Sequence, residues 1–207
     1  ATYHDKLKQL DHTYLWHPFT QMQEWMSEDP VIISRGDGHY LIDDQGRKYL
    51  DGVSSLWCNV HGHHKKEIDD AIKDQLDRIA HSTFLGLSHA PGIQLARKLI
   101  EIAPAGLQRV FYSDSGATAV EIALKMAVQY WQLRGESKRT LIASLAESYH
   151  GDTVGSMSMG YSETFHRFHK SLLFPVLRIT PPHVFRYDQQ MGEEAALDAA
   201  VSDAQKK

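Results

Sequence analysis

The sequence predicts an α/β fold. Three observations carry that prediction. From His64 onward, apolar residues recur at helical spacing in separate blocks, short apolar runs lie between the blocks, and a tight polar turn joins one such run to the longest helical block. Residues 1–60 read differently, as short β-type runs divided by turn chemistry after an N-terminal helix near residues 3–12.

Each element has its own signal. Val31, Ile32 and Ile33, then His39 to Asp43, then Lys48, Tyr49 and Leu50, predict an antiparallel meander. Gly36-Asp37-Gly38 and Asp43-Asp44-Gln45-Gly46 supply its turns. Ile68, Ile72, Leu76 and Ile79 mark one helix face, and Ile93, Leu95, Ala96, Leu99 and Ile100 mark another, between Pro91-Gly92 and Pro104. Val110, Phe111 and Tyr112 predict a short strand. Val120, Ala123, Leu124, Ala127, Val128 and Trp131 then stripe a long helix that Gly135 ends. Leu141, Ile142 and Ala143 predict another strand, and residues 193–207 a last helix. These supply few strands for a sheet covered on both faces. An exposed apolar edge, and dependence on a partner chain, are therefore expected.

Composition narrows the partners. Among 207 residues, 22 Lys and Arg face 26 Asp and Glu, for a formal charge of −4. With no block of Lys or Arg, neither nucleic acid nor an anionic membrane is an expected partner. The longest apolar run, 172–177, contains a proline and is too short to span a bilayer. Residues 1–10 mix charged and polar side chains and do not read as a secretory signal. Cys58 is the only cysteine, so no internal disulfide can form and a reducing, cytoplasmic setting is expected.

The stretch from Val110 to Glu121 carries the most chemistry. An apolar run enters the turn Ser113-Asp114-Ser115-Gly116, and a long helix leaves it. A helix start offers unpaired N–H groups and a positive dipole end. Gly116 has no side chain to block an oxyanion, and the hydroxyls of Ser115 and Thr118 add donors, so the turn can cradle a phosphate. On spacing alone, ordinary helix capping is the commoner reading of the same residues. The stretch matches neither the Walker loop nor the dinucleotide glycine pattern.

A second group, Tyr149-His150-Gly151-Asp152-Thr153, follows a predicted strand, where ligands bind in open α/β sheets. Tyr149 can stack on a flat ring and His150 can act as a base. Turn chemistry at Gly151 and capping by Asp152 explain the same residues. A third group, Trp16, Phe19, Leu56 and Trp57, either lines a pocket or plugs a core, and the plug is the simpler expectation. His61-Gly62-His63-His64 lacks cysteine or carboxylate partners at ligand spacing, so no metal site is expected. His166 and His169 read as a solvated helix face, and Cys58 as a small packed hydrophobe.

In order along the chain stand WHPFTQM (16–22), DGVSSLW (51–57), HGHH (61–64), AHSTFLGLSHAP (80–91), SDSGATAVEIALKMAVQYW (113–131) and YHGDT (149–153). This ordered set resembles the N-terminal half of class III pyridoxal-phosphate aminotransferases over essentially the whole chain. WHPFTQM narrows the resemblance to the branch serving biotin biosynthesis. The resemblance implies the type I aminotransferase fold and a homodimer, with residues 1–60 in the small domain and 61–207 in the large cofactor domain. It implies pyridoxal 5'-phosphate held by Ser115, Gly116 and Ala117, with Tyr149 stacked on its ring and facing substrate. Phe19 and Trp57 would line the substrate pocket, and Asp152 would support the Tyr149 loop.

The small-molecule partners would be an amino donor, S-adenosylmethionine or lysine, and a keto acceptor. Many relatives carry Tyr in place of Phe19 and paired Trp in place of Leu56-Trp57, which tilts the expectation toward lysine. The family's Schiff-base lysine lies beyond residue 207, and neither Lys125 nor Lys170 sits in its motif. No catalytic residue is therefore assigned, and the chain alone is expected not to transaminate. Another class III ω-amino-acid aminotransferase, and a non-catalytic fragment, are the competing readings.

Overall fold

A computed structural model describes residues 1–182 and 192–206. The chain divides into two compact units, Ala1–Ile93 and Gln94–Lys207. Lys207, the last residue of the expected C-terminal helix, lies outside the described residues.

The first unit begins with α1 (Tyr3–Tyr14), and the short α2 (Met22–Trp25) follows. Thr2 and Asp5 close the start of α1 by a reciprocal capping box: Asp5 N–H donates to Thr2 Oγ1 at 3.1 Å and Thr2 N–H to Asp5 Oδ2 at 2.6 Å. His4 is buried between Asp44 and Asp29, at 3.0 and 3.3 Å. That pair joins α1 to the turn after the second strand.

The expected meander is present as β1 (Ile33–Asp37), β2 (Tyr40–Asp43) and β3 (Lys48–Leu50), all antiparallel. Asp37 pairs Tyr40, Tyr40 pairs Leu50, and the register shifts between Ile33 and Arg35. Asp43 is buried at the β2–β3 turn and accepts from Gln45 N–H, Arg47 N–H, Arg47 Nε and the Tyr49 hydroxyl. Burial raises its carboxyl, and these donors outweigh burial and hold it below the usual carboxylate range.

Next comes a one-turn element, α3 (Ser54–Trp57), with φ between 48° and 69° at all its residues. Left-handed backbone is unfavourable for side-chain-bearing residues. Asp51 holds it, accepting from Ser55 N–H and the Ser55 hydroxyl, both at 2.8 Å, and from His63 Nε2 at 3.0 Å. The helix α4 (Lys66–Leu76) then shows the expected apolar spacing, and Ile68, Ile72 and Leu76 remain exposed.

The helix α5 (Ala90–Ile102) starts with Pro91 in its first turn, where a missing N–H costs nothing, and the boundary between units falls within it. In the second unit, α6 (Gly116–Leu133) ends at Arg134, followed by Gly135 at φ +80°, as the sequence predicts. Then come β4 (Ala143–Leu145), α7 (Val154–Met159), α8 (Glu163–His166), a 3-10 turn Arg167–Leu172, β5 (Leu177–Ile179) and α9 (Glu193–Lys206). The strands β4 and β5 are parallel, with Ala143 opposite Leu177 and Leu145 opposite Ile179. The Arg178 guanidinium donates to Ser144 Oγ and to the carbonyls of Ser158 and Met159, which fastens β5 to the end of α7. Thr180, just past β5, donates from its amide and its hydroxyl to Asp203 on α9.

Several expectations need correction. Val110, Phe111 and Tyr112 form no strand, because a strand exists only through ladder partners and the parallel pairing among the described residues joins β4 to β5 alone. The strand expected at Leu141 to Ala143 begins two residues later, although the Ile142 carbonyl already accepts from Leu177. His166 is not solvated but 2% exposed. Trp16, Phe19, Leu56 and Trp57 are exposed and plug no core. Cys58 is also exposed rather than packed.

Candidate functional site

The polar turn before α6 is built by its own residues. Ser115 is the N-cap, in extended conformation. Its Oγ accepts from Thr118 N–H at 3.2 Å, and Thr118 Oγ1 accepts from Ser115 N–H at 3.0 Å. Thr118 sends its hydroxyl proton to Asp114 Oδ1 at 2.8 Å, which holds the Asp114 carboxyl below its usual range. The Ser115 hydroxyl proton is thus left for Thr118 Oγ1 or for a guest. The N–H groups of Gly116 and Ala117 have no acceptor among the described residues. A Cβ at Gly116 would meet no atom within 4 Å. Two free amides, a hydroxyl and a bare Cα at a positive helix end are the donor set a phosphate ester needs.

The loop after β4 is pressed onto this turn. Gly151 has φ +117°, and a Cβ there would stand 2.5 Å from the Ala117 Cβ. No other residue type fits such an approach. Glu121, one helical turn below Ala117, holds the loop from the other side. Its Oε1 accepts from the Thr153 hydroxyl at 2.5 Å, from Gly155 N–H at 2.7 Å and from Ser156 N–H at 3.3 Å. It therefore caps the first turn of α7 from a neighbouring helix. The Thr153 hydroxyl draws the Glu121 carboxyl below its usual value, against partial burial, and the two amides add to the effect.

A cavity of about 710 Å³ opens where turn and loop meet, with Ser115, Gly116, Ala117, Tyr149, His150 and Asp152 on its wall. The Tyr149 hydroxyl donates to Asp152 Oδ2 at 2.6 Å, and this bond, with some burial, raises the phenol above its usual range. Tyr149 is 60% exposed, and a phenol ring is of the type that stacks on another flat ring. Ser115, Gly116, Ala117, Tyr149 and Asp152 are thus brought together in one place. Phe19 and Trp57 belong to the first unit, where Phe19 is 89% and Trp57 72% exposed, both at positive φ.

Sequence reasoning assigns no separate role to Glu121 or Thr153, although both lie in the candidate stretches, and it reads His166 as solvated. Glu121 had a signal, since it lies four residues after Ala117 and shares its helix face. His63 and His64 pair with Asp51 and Asp69, and among the described residues no group of three or more His, Cys, Asp or Glu is placed to hold a metal.

Comparison with known proteins places these features in context. Residues 22–207 match the family model described as aminotransferase class-III. Over 203 residues the chain is 50% identical to the adenosylmethionine-8-amino-7-oxononanoate aminotransferase of Nitratidesulfovibrio vulgaris, covering 97% of this chain and 38% of that one. A crystal structure of the enzyme of that name from Methanocaldococcus jannaschii superposes with a TM-score of 0.86 at 50% identity, over 98% of this chain and 44% of that one. An omega transaminase from Pseudomonas jessenii, solved in complex with PMP, superposes with a TM-score of 0.87 at 29% identity, over 100% of this chain and 45% of that one. The chain spans about two fifths of the length of the curated relatives it matches. Its fold is part of the type I aminotransferase fold.

Proposed function

The chain belongs to the class III aminotransferases, and from that premise we propose that the whole protein moves an amino group from S-adenosylmethionine or lysine to 8-amino-7-oxononanoate, giving 7,8-diaminononanoate. The observation that carries this reading is the pair of amides at Gly116 and Ala117, without an acceptor among the described residues, on the wall of a cavity that also holds an exposed, hydrogen-bonded Tyr149. Identity of 50% to an enzyme named for that substrate, against 29% for an omega transaminase of equal fold similarity, favours this branch over a general ω-amino-acid aminotransferase.

Pyridoxal phosphate, when bound, supplies an electron-withdrawing ring and a carbonyl through which an amino group can pass. The described residues supply the phosphate cradle and the tyrosine beside it. The amides of Gly116 and Ala117 and the Ser115 hydroxyl hold the phosphate, and the dipole of α6 adds positive potential. Tyr149 covers one face of the ring and shields it from water. Asp152 takes the Tyr149 proton in a hydrogen bond and so fixes how that side chain meets substrate. Family resemblance assigns Phe19 and Trp57 to the substrate pocket of the whole protein. In the whole protein residues 1–60 contribute to the smaller domain and 61–207 to the cofactor domain, and the protein acts as a cytoplasmic homodimer. No helix among the described residues is long and apolar enough to cross a membrane.

Titration of the full-length protein with pyridoxal phosphate, followed by visible absorbance, tests the reading. Saturable binding that weakens about tenfold in Tyr149→Ala is expected, a stacking loss of roughly 1–1.5 kcal/mol. Turnover of 8-amino-7-oxononanoate with one of the two donors should accompany it. Absence of binding to the intact protein overturns the assignment.

A further inference from the structure

His166 ends α8 and is 2% exposed, in a segment the periodicity reads as solvated. Its two ring nitrogens have different partners. Ser162 N–H donates to Nδ1 at 3.0 Å, which requires a lone pair on Nδ1 and so assigns the ring proton to Nε2. That Nε2–H points to Asp152 Oδ1 at 3.2 Å. The other carboxylate oxygen, Oδ2, accepts the Tyr149 hydroxyl at 2.6 Å. One carboxylate thus links a buried imidazole to a phenol on the cavity wall.

The burial of the two partners is unequal, and this decides which one orders the other. The Asp152 side chain is 51% exposed, so water competes for its oxygens and does not hold it in one rotamer. The imidazole has no such freedom. It is anchored to backbone through Ser162 and flanked by the rings of Tyr161 and Phe165, with centroids 6.1 and 6.4 Å away.

We propose that His166 is a positioning residue: it fixes the Asp152 carboxylate and, through it, the direction in which Tyr149 presents its hydroxyl to the cavity. The proposal rests on the cofactor reading of that cavity. With its proton committed to Asp152, Tyr149 turns oxygen lone pairs outward and meets a guest as a hydrogen-bond acceptor. The raised phenol is consistent with that commitment. A guest N–H, the group an amino donor brings, is the complement.

The test uses full-length protein carrying His166→Phe, which fills the site without a donor, or His166→Gln, which restores an N–H. Each is made with and without Tyr149→Phe, so that difference absorbance isolates the Tyr149 phenol. Without cofactor, the phenol of the unsubstituted protein should titrate above the ordinary tyrosine range. It should fall toward that range in His166→Phe and return in His166→Gln. Identical titration in all three overturns the proposal.

With pyridoxal phosphate bound, His166→Phe should lower kcat about tenfold while cofactor affinity stays within about threefold, and His166→Gln should recover most of it. If the unsubstituted protein binds no cofactor, the functional reading fails, and the phenol titration still decides the role of His166. Should His166→Phe not fold, the nitrogen-15 shifts of His166 in the unsubstituted protein decide instead. An Nε2–H ring upholds the proposal and an Nδ1–H ring overturns it.

Discussion

Two helix starts in this chain use the same device to different ends. At α1, Thr2 and Asp5 form a reciprocal capping box, and the partner residue is an acid in the first turn. At α6, Ser115 and Thr118 form the same reciprocal box, and the first turn carries no acid. The first arrangement places a carboxylate against the positive helix end. The second satisfies the same two donors with a neutral hydroxyl and leaves the dipole available to a guest anion. Asp114 stands just before the α6 cap, with its Oδ1 engaged by Thr118. The comparison teaches that a cap and an anion site are not alternatives: the identity of one residue, three positions into the box, decides whether the end is closed or open.

The largest expected effect comes from making α6 resemble α1. Thr118→Glu keeps a capping-box residue and adds a negative charge near the cradle. A like charge about 5 Å from a phosphate at an effective dielectric of about 20 costs roughly 3 kcal/mol, so pyridoxal-phosphate affinity should fall about 100-fold. The melting temperature of the apo-protein should stay near its starting value. A loss of stability without a loss of affinity would break the comparison.

A smaller effect tests the Glu121 cap that holds the adjoining loop. Its carboxyl is lowered in the folded protein from an ordinary 4.5. The stabilisation is therefore complete above that value and is lost as pH falls through the lower folded value. Thermal melts of the intact protein should weaken over that acidic window, and Glu121→Gln should be less stable near neutrality with a shallower acid dependence. The smallest effect belongs to α1: Thr2→Ala should cost about 1 kcal/mol and leave cofactor affinity unchanged, since that end serves structure alone.

What the sequence made legible follows from distance along the chain. The meander was readable because its turns at Gly38 and Gly46 connect neighbouring runs. The α6 cradle was readable because Ser115, Gly116 and Ala117 are consecutive. The partnership of Tyr149 and Asp152 entered through family resemblance alone, since the three residues of spacing between them name no bond; the Tyr149 hydroxyl stands 2.6 Å from Asp152 Oδ2. By contrast, β5 is three residues long, Leu177-Arg178-Ile179, too short for its alternation to signal a strand. The Arg178 guanidinium finds carbonyls at Ser158 and Met159, residues remote in sequence. His166 escaped for the same reason. Helical spacing reports a face, whereas its burial depends on Asp152 and Ser162 closing over it.

Gly151 has a consequence for anyone diversifying the loop that follows β4. Mirror-hand geometry and the methyl group of Ala117 both forbid a side chain there, each independently of the other. A selection that randomises neighbouring codons while demanding a folded product should return glycine at that position and variety around it. Shortening the alanine opposite would not suffice, since a Cβ at position 151 would still stand 2.9 Å from the Ala117 Cα; the helix start would have to move and the mirror-hand turn relax as well.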